Sequence, residues 1–133
     1  MARSAPARVW AATAALLLAS TPVLSQQRPL TVPLKCRQAE CPLLTGPPQT
    51  AGMRSSFERL SPGASVGWHT TGKHEEALVI LRGQGEALIE GGTKQSFVAP
   101  ALVYFPPTTR HNVANTGKEP LEYVFVVAPA DRP

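Results

Sequence analysis

The sequence predicts an all-β protein, with two sheets folded as a jelly roll or closed into a small barrel. Three observations point there. From Met53 onward the chain reads as about eight short strands. Strong Gly, Pro, Ser and Thr turn signals separate those strands. No window after residue 25 carries the 3.6-residue apolar period of a helix.

The first strand is expected over Met53–Leu60, ended by Ser61-Pro62-Gly63, and the second over Ala64–His69, ended by Thr71-Gly72. Glu76–Arg82 follows and stops at Gly83-Gln84-Gly85. Glu86–Glu90 runs to Gly91-Gly92, and Gln95–Val98 and Leu102–Phe105 run to Pro106-Pro107. His111–Asn115 stops at Thr116-Gly117, and Leu121–Ala128 completes the set. Before Met53 the character changes. Residues 26–52 carry Pro29, Pro33, Pro42, Pro47 and Pro48, and proline neither donates to a ladder nor leaves its neighbour free. An extended, irregular arm is expected there, lying on the barrel as an edge strand or joining dimer contacts.

Residues 1–25 read as an export signal: Arg3 and Arg8 precede a short apolar run, Val9–Ala19, and Val23-Leu24-Ser25 offers a cleavage site. That run is too short to span a bilayer. The organisation expected is therefore a signal peptide at 1–25, the arm at 26–52 and one barrel domain at 53–133, in a protein that is periplasmic or secreted and free of the membrane after cleavage. The formal charge of +4 falls to +2 once Arg3 and Arg8 are removed. The remaining Lys and Arg are scattered, without the cluster that neutralises a row of phosphates, so nucleic acid is not an expected partner. Cys36 and Cys41 are the two cysteines. In an oxidising compartment a disulfide between them is expected, with free thiols or a soft-metal contact as the alternatives.

The chemistry is concentrated in two stretches. Gly63 to Gly83 reads GASVGWHTTGKHEEALVILRG, and Pro106 to Asn115 reads PPTTRHNVAN. They contain the three histidines, His69, His74 and His111, and the neighbouring carboxylates Glu75 and Glu76. Imidazole and carboxylate converging from separate strands suit a borderline divalent metal. The spacing resembles the cupin family: Gly63, five residues, His69, then Glu76, six residues and Gly83 follow the first cupin motif. Pro106, His111 and Asn115 follow the second. Thr71 stands where the family has a second histidine, Thr108 where it has glycine, and Pro100 where a glycine opens the second motif. The resemblance covers roughly Met53 to Ala128 and implies the double-stranded β-helix form of the jelly roll.

It also implies three metal ligands, His69, Glu76 and His111. Glu76 is preferred to Glu75 because it alone lies six residues before Gly83, and neighbours in a strand face opposite sides. Two His and one carboxylate suffice for a centre with open positions, with Fe, Mn, Zn, Ni and Cu all compatible. His74 either swings in as a fourth ligand or stays a surface histidine beside the Gly72-Lys73 turn. In a metal-free barrel, His69 and His111 would instead bond to each other, to Glu76 or to water. Trp68, Phe97, Tyr104, Phe105, Tyr123 and Phe125 are the aromatics available to line a cavity. Three functions compete: a metal-dependent oxidoreductase or isomerase acting on a small polar molecule, a small-ligand-binding module without catalysis, and a structural dimer. No nucleophile–base pair, phosphate loop or cofactor fingerprint selects a reaction.

Overall fold

The computed structural model describes residues 27–130, so the export signal expected at 1–25 lies outside the described residues. Eight strands follow in order: β1 (Glu40–Thr45), β2 (Arg54–Leu60), β3 (His74–Arg82), β4 (Gln84–Ile89), β5 (Thr93–Val98), β6 (Ala101–Phe105), β7 (His111–Asn115) and β8 (Leu121–Pro129). Among the described residues there is no helix. The strands form a five-stranded sheet, β1-β2-β8-β3-β6, and a three-stranded sheet, β5-β4-β7. Every pairing is antiparallel. This is the all-β jelly roll that the turn punctuation and short strands predict.

Alternation along each strand decides what faces in. On β3, Glu76, Leu78 and Ile80 are buried while Val79 and Leu81 are exposed. On β6, Val103 and Phe105 are buried while Leu102 and Tyr104 face out. The inward set meets Ala87, Phe97 and Val113 from the smaller sheet, so one apolar core fills the space between the layers. The β3–β4 turn depends on Gly83. Its φ is +84°, and a Cβ there would lie 2.8 Å from the Pro120 carbonyl oxygen. Only glycine accepts both conditions.

One feature differs from expectation. Ala64–His69 is not a strand: its backbone pairs with the smaller sheet at isolated bridges, Ser65 to Ala114 and His69 to His111. Gly67, with φ +102°, turns the backbone between those bridges, and its N–H donates to the Asn112 side chain instead of a ladder. The proline-rich segment contributes β1, the edge strand beside β2, one of the two placements expected for the arm. Its Pro42 is tolerated at a sheet edge, where the register also shifts between Pro42 and Leu44. The Cys36–Cys41 disulfide is formed just where this segment meets the sheet. It is consistent with an oxidising environment.

Candidate metal centre

Three elements bring His69, Glu76 and His111 together. His111 opens β7, and its backbone exchanges two hydrogen bonds of 2.9 Å with His69. Directly opposed residues of an antiparallel pair project to the same face. The two imidazoles therefore meet edge to face, with ring centroids 4.4 Å apart. Glu76 reaches the same point from β3 in the other sheet. One potential ligand atom from each of the three lies within 4.8 Å of the others.

The hydrogen bonding of this cluster is the informative part. His69 Nδ1 lies 2.9 Å from the Gly67 carbonyl oxygen, and His111 Nδ1 lies 3.0 Å from that of Thr109. A carbonyl only accepts, so both Nδ1 atoms carry the proton and donate. In the neutral ring Nε2 then presents its lone pair. His111 Nε2 sits 3.2 Å from Glu76 Oε2, yet the alignment makes no hydrogen bond and neither atom has a partner among the described residues. Both side chains are buried, Glu76 at 5% exposure and His111 at 0%. Two buried polar atoms aimed at one point, with no hydrogen bond between them, are complemented by a cation. The site fits a divalent metal: two imidazoles whose Nδ1 atoms are engaged by carbonyls, leaving Nε2 to a ligand, and one carboxylate oxygen. Phe105 stacks on the His111 ring at 3.7 Å and 8° and fixes its plane.

The other sequence candidates fall outside this cluster. Glu75 points away, as strand alternation requires, and accepts from the Tyr104 hydroxyl at 3.1 Å. His74 is the first residue of β3, with Nδ1 donating to the Thr71 carbonyl at 3.2 Å, and is not among the converging atoms. Thr71, at the position where a further histidine would stand, turns its hydroxyl to the His74 carbonyl at 2.9 Å. Thr108 adopts φ +63°, the left-handed conformation that the glycine of the second motif would supply. Asn115 ties the far end of β7: its Nδ2 donates to the Leu60 and Glu119 carbonyls, and its Oδ1 accepts from Gly117. Arg110 pairs with Glu90 at 2.9 Å and lies over the Trp68 ring.

A cavity of about 430 Å³ opens beside the cluster, and His69, Thr71 and Glu76 form one end of its wall. Of the aromatics, Tyr123 and Phe125 line it, whereas Tyr104 and Trp68 are exposed. The rest of the wall comes from β1 and β2, including Glu40, Ser55, Ser56 and Glu58. Sequence reasoning passed over Glu40 and Glu58. The inward alternation of Ser56, Glu58 and Leu60 is a signal for the second, but nothing local marks the first. Burial, and then the charge of Glu40, push the Glu58 carboxyl up from 4.5 to about 7. Burial, followed by the charges of Glu58, Glu76 and Glu40, also raises the Tyr123 phenol.

Comparison with known proteins adds the following. A family profile described as a cupin domain matches residues 56–127. No curated protein sequence matches. Among solved structures, a Cupin 2 conserved barrel domain protein from Salinispora arenicola is 28% identical, with 79% of this chain and 89% of that one covered and a TM-score of 0.60. A predicted oxalate decarboxylase from Thermotoga maritima is 26% identical over 68% of this chain and 78% of its own, with a TM-score of 0.63. A protein from Bacillus halodurans, 22% identical, shares the fold at a TM-score of 0.68 over 80% of this chain and 85% of its own.

Proposed function

Since the chain belongs to the cupin family, we propose that it is an exported small cupin that holds a divalent metal between His69, Glu76 and His111 and binds or transforms a small polar molecule in the adjoining cavity. The observation that carries this reading is the unpartnered pair of Glu76 Oε2 and His111 Nε2, buried and 3.2 Å apart. A metal held there supplies Lewis acidity toward an oxygen of the bound molecule, with positions left open by a three-ligand set. The protein's own residues do the rest. Gly67 and Thr109 carbonyls orient the imidazoles, Phe105 fixes one ring plane, and Val66, Val113 and Val127 add apolar wall to the cavity that Glu76 lines. The likeness to a predicted oxalate decarboxylase supports a small carboxylic acid among the ligand classes. Export is supported by the Cys36–Cys41 disulfide and by the basic, then apolar, opening of the sequence.

Elemental analysis of protein purified from its own host tests the reading. One equivalent of metal is expected in the wild type and a sharp loss in His69→Ala, with Glu75→Ala unchanged. His74→Ala is expected to keep the metal, since its ring lies outside the cluster. Folded wild-type protein without metal would favour the alternative, a metal-free barrel that captures its ligand by shape and hydrogen bonding.

A further inference from the structure

The cavity has a second polar end, remote from the histidines. Glu40 on β1 is the direct cross-strand partner of Glu58 on β2, and Glu58 is the direct partner of Tyr123 on β8. All three line the cavity. Direct partners in such a ladder hold their Cβ atoms about 5 Å apart. Glu76 belongs to a different level: it pairs with Val127, four residues along β8 from Tyr123. The two levels are therefore separated by about 13 Å along the strand, with Ser56 and Phe125 between them.

Two carboxylates placed directly opposite repel each other. Among the described residues neither Glu40 nor Glu58 has a basic partner; the Ser56 hydroxyl, 3.3 Å from Glu40 Oε1, is what touches the pair. Arg54, which also lines the cavity, stands at the Val127 level and not beside Glu58. Tyr123 is 2% exposed as a residue, and its hydroxyl makes no protein hydrogen bond among the described residues and opens to the cavity. An exposed carboxylate opposite a half-buried one and an unpartnered hydroxyl open to the same cavity share a single missing complement, a compact cation that donates several hydrogen bonds.

We propose that Glu40, Glu58 and Tyr123 form an ammonium-binding subsite, so that the ligand of this cavity carries a primary amine at one end and an oxygen donor at the other. The oxygen end rests on the metal reading above; the amine end stands on its own residues. An ammonium donates to Glu58, Glu40 and the Tyr123 oxygen. Burial first, and then the Glu40 charge, raise the Glu58 carboxyl from 4.5 to about 7, and the second of these causes favours a cation beside the pair. Amine binding displaces the Glu58 proton. The groups facing Glu58 from its neighbouring strands are Glu40 on β1 and Tyr123 on β8.

The test is calorimetric titration of the zinc-loaded full-length protein with 6-aminohexanoate and with hexanoate, which differ only in the amine. The amine-bearing probe is expected to bind about 10- to 100-fold more tightly, the range of a charge-assisted hydrogen bond. That ratio should grow as pH rises from about 6 to 8, because the carboxyl that receives the amine is ionised over that range. Glu58→Gln, close in shape, should collapse the ratio toward unity with zinc content unchanged, and Tyr123→Phe should reduce it. Equal affinities, no measurable binding of either probe, or a ratio retained in both variants would overturn the proposal. Repeating the wild-type titration with a chelator separates the two readings. If the protein takes up no zinc but still prefers the amine, the metal reading fails and the subsite stands.

Discussion

Replacing Glu76 by glutamine should act in opposite directions on the chelated and the metal-loaded protein. In the chelated protein, Glu76 Oε2 and His111 Nε2 are buried 3.2 Å apart with no hydrogen bond between them. Leaving such a group unsatisfied costs about 1–3 kcal/mol. The glutamine amide keeps the shape and donates to His111 Nε2, so Glu76→Gln should stabilise the chelated protein by about 2 kcal/mol. For a domain near 100 residues that raises Tm by roughly 10 °C. In the wild type, metal at a hundred times its Kd adds about 2.7 kcal/mol. The variant has lost the anionic ligand and should gain little from the same addition. Thermal unfolding followed by circular dichroism at about pH 8, where a free imidazole is neutral, with chelator and then with zinc, reads both effects. The wild type should melt below the variant with chelator and rise sharply with zinc. If Glu76→Gln instead lowers the stability of the chelated protein by about 3–5 kcal/mol, the two side chains form a buried ion pair with the proton on His111. The case for a metal would then lose its foundation.

Three further outcomes are expected. Glu58 binds its proton more tightly in the folded chain than in the unfolded one, raised from 4.5 to about 7, so its contribution to stability is full at low pH and lost as pH rises through that window. The full shift corresponds to about 3 kcal/mol, and solvent reaching this half-buried carboxyl reduces it to on the order of 1–2 kcal/mol; urea titrations at a series of pH values should show Glu58→Gln gaining on the wild type between them, and parallel curves would refute it. Asn115→Ala removes three hydrogen bonds at a residue 2% exposed and should cost about 2–3 kcal/mol in urea unfolding, against which a loss below about 0.5 kcal/mol would count. Gly83→Ala forces a Cβ to within 2.8 Å of the Pro120 carbonyl at a positive φ, and should lower the urea midpoint by the equivalent of about 2 kcal/mol or more; an unchanged midpoint would show that the turn relaxes freely.

The residues of the candidate centre were legible from spacing because spacing encodes local geometry. Glu76 faces the interior and Glu75 does not, since neighbours on a strand point to opposite sides, and Gly83 marks the turn by a conformation other residues resist. Strand order and direct opposition are not local properties. His69 lies on an irregular segment rather than the expected strand, and only its two backbone bonds to His111 set the rings side by side. His74 keeps to the Thr71 turn although it sits two residues from Glu76, because a local carbonyl claims its Nδ1. The arm's prolines left an edge strand or dimer contacts open, and pairing with β2 made Glu40–Thr45 the edge strand. That pairing alone puts Glu40 opposite Glu58, and β8 alone puts Tyr123 beside them from a stretch more than sixty positions further along. The sequence by itself determined which side chains face inward, through the two-residue period of each strand. Only the long-range ladders decided which inward residues share a level of the cavity, because register between distant strands is settled by the whole sheet.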